Sequence, residues 1–467
     1  MKVLVAGASG FIGRALIESL LARGGIEIVA LSRIERVSHH PSLVWKRCDL
    51  FSMKDIQEAM GGCTEAYYLV HSMLPSADLS QGSFYDFDLI LADNFIRCAK
   101  KAGVRHLIYL GGMIPENGTL SWHLRSRLEV EECLRLSGIP VTTLRAGLII
   151  GKNGSSFEIL QRLVERLPLM VCPAWTRTES QPIALREILP VLEACLLDPS
   201  VQGRIYDVGG PEVLTYQELI LKTARALGVR RRLFSFNLVP LKLSRLWVRL
   251  ITGVSKDLVF PLVLSLIHRM VVSPSRAWPR WGSERISMDQ ALAEALGPAG
   301  RSGTRGAPDP GIARPASGGK SHREHEVRSI QRLVHPSGMN AERVAAEYFA
   351  WLPRFFRALI KVRVEGALCT FSLVFPGFKM LILEKSAERS SPDRQLLYIR
   401  GGWLASKRMV RGRLEFREAL GGRVILAAIH EFIPALPWVV YRYTQALVHV
   451  WVMRRFDRHL GRLARRT

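Results

Sequence analysis

Gly7, Gly10 and Gly13 stand three residues apart in a stretch that reads as apolar strand, turn and helix. The pattern points to phosphate chemistry. A glycine at 7 permits the tight turn out of a strand at 3–6, one at 10 lets backbone approach a pyrophosphate, and one at 13 lets a helix pack on the strand. The free N–H groups of that helix, near Phe11 and Ile12, would then receive the phosphate oxygens, with Ser9 in the same turn. An ordinary strand-to-helix turn uses glycines too, so the argument for a dinucleotide rests on the surrounding elements.

Those elements fit. Ile12, Leu16, Leu20 and Leu21 make the helix amphipathic, and a second apolar strand at 26–31 completes a βαβ unit. Strands at 43–47, 66–70, 106–110 and 141–144 then alternate with helices from 52, over 84–102 and from 121. This predicts an α/β, Rossmann-type doubly wound parallel sheet with its ligand crevice at the strands' C-terminal ends. The second strand ends in Ser32 and Arg33, with Arg36 close by, where NAD-specific sites place an acid for the ribose 2′-hydroxyl. A guanidinium suits a 2′-phosphate, which an acid would repel, so NADP(H) is favoured over NAD(H).

Beyond the predicted dinucleotide domain, 1–150, the pattern turns irregular over 151–296. Helices at 157–167, 186–196, 216–227 and 289–296 and strands at 204–208 and 234–238 would roof the crevice and shape a substrate pocket. Residues 297–335 read as a flexible linker, since 297–322 are dense in Gly, Pro, Ser and Arg and cannot bury a core. From 336 to 467 the grammar is that of a basic α+β domain: a helix at 341–352, then alternating runs joined by turn signals, 368–375, 379–384, 395–400, 413–420 and 423–432. A long terminal helix, 438–463, sets Val439, Tyr443, Leu447, Val450, Met453, Phe456, Leu460 and Leu463 on one face. Arg455, Arg458, Arg462 and Arg465 run beside it; packing on the antiparallel sheet is expected, with a helix lying on a membrane as the alternative.

The chain of 467 residues is long enough for two or three cores. The longest uncharged apolar run, 258–267, contains Pro261 and falls short of a bilayer span. The first strand begins at Lys2, which leaves no room for a signal peptide, and the scattered cysteines 48, 63, 98, 133, 172, 195 and 369 suit a reducing compartment. A cytoplasmic protein, in peripheral contact with membrane as an alternative, is expected. Basic and acidic residues balance at 21 each over 1–200, so the whole net charge of +24 falls in 201–467. That half is expected either to meet an anionic membrane surface or to be a solvated basic face; no motif specific for nucleic acid appears. His39 and His40 have no metal-ligand spacing with a carboxylate cluster, so no metal is assigned.

Taken together, the Gly7–Gly13 turn, Cys48-Asp49-Leu50, Tyr68-Leu69-Val70-His71-Ser72-Met73, Asp93-Asn94-Phe95 and the Arg145–Gly151 run resemble an atypical member of the extended short-chain dehydrogenase/reductase superfamily. The likeness covers roughly residues 1–296 and is similar to the nucleoside-diphosphate-sugar epimerase and NmrA-like branches. It implies that Asp49 and Leu50 flank the adenine and that the loop from Val70 and His71 passes the nicotinamide ribose. Ser155, Ser156 and Phe157 fall where that family contacts substrate, and equally where a helix starts.

In that superfamily the next helix usually carries Tyr-x-x-x-Lys, and a Ser or Thr follows the fifth strand. This chain has His123 and Arg127 at the paired positions, and its fifth strand ends Tyr109-Leu110-Gly111-Gly112-Met113. Two readings follow. Either His123 is the acid and Arg127 holds the cofactor ribose, in a reductase acting on a carbonyl or activated alkene of an apolar substrate, or the site senses bound NADP(H) without turnover. A peripheral-membrane adaptor working through the basic half is compatible with both. Tyr109 reads as a core residue and Ser126 as a helix-surface one. The C-terminal order of elements resembles the helix-grip fold of START or SRPBCC domains, which implies a lipid-like ligand near Trp403, Phe416, Trp438 and Tyr441, residues that equally suit a core.

Overall fold

The computed structural model describes residues 1–71, 79–116, 118, 120–235, 264–282, 285–297, 325–357 and 359–465. It divides into two compact units, Met1–Met73 with Asn94–Ser317, and Leu74–Asp93 with Gly318–Thr467.

In the first unit, β1 (Lys2–Ala6), apolar after Lys2, feeds α1 (Phe11–Arg23), and then come β2 (Glu27–Ser32), β3 (Leu43–Arg47), α2 (Met53–Met60) and β4 (Glu65–Tyr68). After β5 (Leu79–Gln81), which belongs to the other unit, follow α3 (Phe84–Ala102), whose residues up to Asp93 also belong to that unit, β6 (His106–Gly112), α4 (Trp122–Arg135), β7 (Val141–Ala146) and later β8 (Ile205–Val208). The sheet order β8-β7-β6-β4-β1-β2-β3, with all neighbours parallel, is the doubly wound Rossmann arrangement. Val3, Val5, Tyr67, Ile108 and Leu144 fill its core with Leu16 and Leu20 of α1. The strand order reverses between β1 and β4, and this switch point opens the crevice beside the Gly7 turn.

The segment after β7 supplies helices α5 (Ser155–Arg166), α6 (Leu185–Leu197), α7 (Tyr216–Ala226) and α8 (Met288–Leu296). Phe157, Leu219, Met288 and Leu292 join in a second core. The strand expected at 234–238 is Arg232–Ser235, and its remaining positions lie outside the described residues.

The second unit is an eight-stranded sheet. Its members are β5, β9 (Val327–Leu333), β10 (Ile360–Glu365), β11 (Leu368–Leu373), β12 (Lys379–Lys385), β13 (Arg394–Gly401), β14 (Arg413–Ala419) and β15 (Val424–Phe432), in the order β10-β11-β12-β13-β14-β15-β9-β5. All contacts are antiparallel except the edge pair β5 and β9. One face is covered by α9 (Ala341–Phe355) and by a terminal pair, α10 (Trp438–Tyr443) and α11 (Gln445–Ala464). Tyr348, Trp351, Phe416 and Phe456 pack ring to ring in that core.

Two expectations need correction, and two further points are settled. Residues 327–333, read as the end of a linker, form β9, whose Val327, Ile330 and Leu333 are buried; Arg328 is buried as well and hides the apolar alternation. The stretch 79–81, to which the sequence pattern assigns no element, is an edge strand. The terminal helix breaks at Thr444 (φ −124°, ψ −87°), so the expected apolar stripe does not stay in register: Met453, Phe456 and Leu460 are buried, while Val439, Tyr443 and Leu447 are exposed. Of the four aromatics considered for a ligand cavity, Phe416 and Tyr441 are core, Trp438 packs against it, and Trp403 is exposed.

Candidate functional site

The glycine turn has the geometry that a pyrophosphate cradle needs. Gly7 adopts φ +87°, and a side chain there would meet the Leu69 carbonyl oxygen at 2.7 Å. At Gly13 a Cβ would lie 2.3 Å from the Gly7 oxygen, so only glycine allows α1 to sit this close to β1. Gly10 caps α1 through extended backbone, with no side-chain cap and no acid in the first turn. The helix therefore presents its first N–H groups and the positive end of its dipole to the crevice. These residues fit a dinucleotide: the turn has the required backbone, and the phosphate end carries no negative charge of its own.

At the adenosine side, Asp49 Oδ1 accepts from the Phe51 N–H at 3.0 Å, and the Asn94 amide donates to the Leu50 carbonyl at 2.9 Å. Asn94, on α3, thus fixes the loop that the sequence pointed to. At the end of β2, Ser32 is buried and accepts from Arg36 Nε at 3.2 Å. The Arg36 guanidinium lies 5.2 Å from the Trp45 ring centroid, and its pKa is lowered by burial and then by Arg14 nearby. Arg14 Nε donates to the Ser9 carbonyl at 3.0 Å. Two cations therefore converge beside Ser32, whereas Arg33 is exposed. Arg14 carried no sequence signal for this role, because its helical position reads as surface.

A cavity of about 370 Å³ joins this crevice to the roofing segment. Ile12, Val70 and His71 line it from the dinucleotide side, with Gly111 and Gly112 from β6 and His123 and Arg127 from α4. Ser155 and Ser156, at the start of α5, also line it; Gly154 is the cap, and Phe157 is core. Phe11 is drawn the other way, against Gly151 and Gly154. Ser72 and Met73 lie outside the described residues.

α4 begins at Ser121, whose hydroxyl accepts from Leu124 N–H, and so places His123 in its first turn. His123 and Arg127 are four apart and share a face. The His71 and His123 rings lie with centroids 5.1 Å apart. Arg127 is buried, and desolvation pushes its pKa down to about 9, which leaves it cationic at neutral pH. The Tyr109 hydroxyl donates to the Arg127 carbonyl at 3.3 Å, and its ring covers Gly111, where a side chain would meet it at 2.8 Å. Tyr109 is core, as expected; Ser126, expected on the surface, is buried.

Sequence reasoning missed the ion pair that fixes α4. Arg145 on β7 makes a two-pronged contact with Glu131, at 2.9 and 2.8 Å, with both residues buried. It also missed the far wall, where Trp175 meets Tyr216 edge to face at 6.4 Å, beside Leu219 and Met270. Burial pushes the Tyr216 hydroxyl well above its ordinary value, so it keeps its proton at neutral pH. These wall residues come from separate elements, and no local spacing links them.

Parts of the chain are similar to known proteins. Residues 7–166 match the family described as NAD(P)H-binding, which makes this stretch an NAD(P)H-binding domain. The chain is 32% identical over 121 residues to Auxiliary protein GraX of Staphylococcus aureus, covering 26% of this chain and 39% of that one. It is 24% identical over 222 residues to NADH dehydrogenase [ubiquinone] 1 alpha subcomplex subunit 9, mitochondrial, of Arabidopsis thaliana, covering 46% and 55%. A third relative, (4-alkanoyl-5-oxo-2,5-dihydrofuran-3-yl)methyl phosphate reductase of Streptomyces griseus, is 25% identical over 234 residues, covering 48% and 74%. The chain thus spans about two fifths to about half the length of the first two. Among solved structures, Citrobacter sp. triphenylmethane reductase complexed with NADP(H) aligns with a TM-score of 0.48 and 17% identity, over 63% of this chain and all of that one. A Staphylococcus aureus nucleoside-diphosphate-sugar epimerase aligns at 0.47 and 18%, over 58% and 93%. Among the described residues no helix is long and apolar enough to cross a membrane.

Proposed function

We propose that the chain is an NADP(H)-dependent reductase that acts on a carbonyl or activated alkene of an apolar substrate. The observation that carries the reading is the cavity, in which His123, Arg127 and His71 meet the dinucleotide crevice at one end while Ile159, Leu160, Leu163 and Leu219 wall the rest. Such a space accepts an apolar body and orients one polar group. Gly7, Gly10 and Gly13 would hold the pyrophosphate, Asp49 and Leu50 the adenine, Val70 and Arg127 the nicotinamide ribose, and Arg14, Arg36 and Ser32 the 2′-phosphate, with Arg33 at its edge. When bound, NADPH supplies the hydride. His123, as imidazolium, gives its proton to the substrate oxygen as the π electrons move there, and His71 beside it orients the ring. Tyr216, neutral at this pH, suits a hydrogen bond to substrate rather than proton transfer. The cationic Arg127 lies beside the place where negative charge develops.

The test is oxidation of NADPH by the purified full chain against a panel of apolar ketones, quinones and enones. Substrate-dependent oxidation supports the reading. A sensor would bind NADPH and NADP+ unequally and oxidise nothing.

A further inference from the structure

The sheet of the second unit ends in an exposed apolar tip whose segments also carry exposed cations. Because β10 to β15 form an antiparallel meander, the turn from β11 to β12 and the connection from β13 to β14 fall at the same end. Backbone hydrogen bonds tie them together: Val374 N–H donates to the Leu359 carbonyl at 3.0 Å, and Trp403 N–H to that of Lys379 at 2.8 Å. The Phe378 and Trp403 rings stack with centroids 6.3 Å apart. At this end Leu359, Val374, Phe375, Phe378, Trp403 and Val410 are all exposed, Phe375 at 91% and Val410 at 84%.

Large side chains grouped like this at a turn are uncommon on a solvated surface and mark a site of association. The surrounding charge says with what. Segments 356–361, 373–381 and 401–411 carry Arg357, Lys361, Lys379, Lys407, Arg408 and Arg411 and no Asp or Glu; all six cations are exposed. Aromatic and aliphatic tips within one-signed basic segments match the layering of an anionic bilayer, with its acyl boundary under a sheet of negative headgroups.

We propose that this end of the sheet is a membrane-docking tip that seats in the interface of an anionic bilayer. The apolar side chains enter the headgroup and acyl boundary, and the six cations meet the lipid phosphates and carboxylates. The inference goes beyond the reductase reading and does not depend on it.

Full-length protein is sedimented with vesicles of phosphatidylcholine alone and of phosphatidylcholine mixed with phosphatidylserine. The tip predicts partition into the mixed vesicles, little into the neutral ones, and weakening by salt. The pair Phe375→Ser and Trp403→Ser should lower partition roughly tenfold or more, as should Lys407→Glu with Arg408→Glu. Thermal melts followed by circular dichroism check that the variants fold; should a pair melt early, Phe375→Ser alone takes its place. The proposal is overturned if the protein stays in the supernatant with anionic vesicles, or if the folded variants sediment as fully as the wild type. It is also overturned if sedimentation equilibrium shows self-association that Phe375→Ser abolishes, which would give the face to a second copy.

Discussion

The imidazoles of His71, just after β4, and His123, in the first turn of α4, lie 5.1 Å apart between ring centroids, and both line the same cavity. Two imidazoles from different elements at one end of an apolar space suit the movement of a proton. His123 must be protonated to act as the acid, so turnover should fall as pH rises and its imidazole loses that proton. His123→Phe should lose on the order of 10²–10⁴-fold in rate while NADPH affinity, followed by calorimetry, is kept. A pH profile without such a fall would remove His123 from the proton step.

Cofactor choice should follow Arg14 and Arg36. Replacing Arg36 by Ala removes a cation held beside Ser32 and should weaken NADPH binding by about 1–3 kcal/mol with little change for NADH. The exposed Arg33 should cost less. Equal losses for both cofactors in Arg36→Ala would show that it does not read the 2′-phosphate.

The cradle itself predicts two different failures. A valine at Gly10 should abolish binding of either dinucleotide while the fold persists, because the nearest atom its Cβ meets is the Gly7 oxygen at 3.1 Å. Gly13→Ala, with its Cβ at 2.3 Å from that oxygen, should lower the melting temperature as well. Tight NADPH binding by Gly10→Val would contradict the assignment.

Glu131 positions α4 rather than touching substrate. Glu131→Gln leaves Arg145 buried without its counter-charge and should cost about 3–5 kcal/mol in a denaturant titration. Because His123 rides on the same helix, kcat should fall further than NADPH affinity. Stability equal to wild type would show that the pair does not anchor the helix.

In the second unit, burial alone would raise the Glu415 carboxyl, but Arg394 and Arg417 outweigh it and hold the group far below the usual carboxylate range. A depressed carboxylate contributes stability that is fully present above its unfolded value, 4.5, and is lost as pH falls toward its folded one. Glu415→Gln should therefore destabilise the chain at neutral pH and flatten the acid limb of its stability curve below about 4.5. Melts across that range at several pH values check it.

Much of the first sheet was legible because its strands are buried on both faces and read as apolar runs, and because the Gly7 turn announces itself. His123 and Arg127 were found by position, four apart on a predicted helix. Arg14, Glu131, Trp175 and Tyr216 were not, since each depends on a partner in another element or on burial that no local pattern shows. Strand β9 was hidden for a related reason: Arg328 and Arg332 sit in a strand whose charges are met by Glu326 and by Asp86 of α3. Arg417, almost fully buried, is likewise held by Asp93 of α3 at 2.6 Å, a pairing across more than three hundred residues.

Hydride transfer to a substrate in the cavity would carry an isotope from the cofactor into the product. NADPH carrying deuterium at both nicotinamide C4 positions is incubated with the full chain and a panel of apolar carbonyl compounds and enones, and products are read by mass spectrometry. One deuterium is expected in the reduced product, formed at a rate that His123→Phe cuts by about 10²-fold or more. Deuterium retained in tightly bound NADPH across the whole panel, with NADP+ and NADPH bound at unequal affinity, would contradict it and make the chain a sensor.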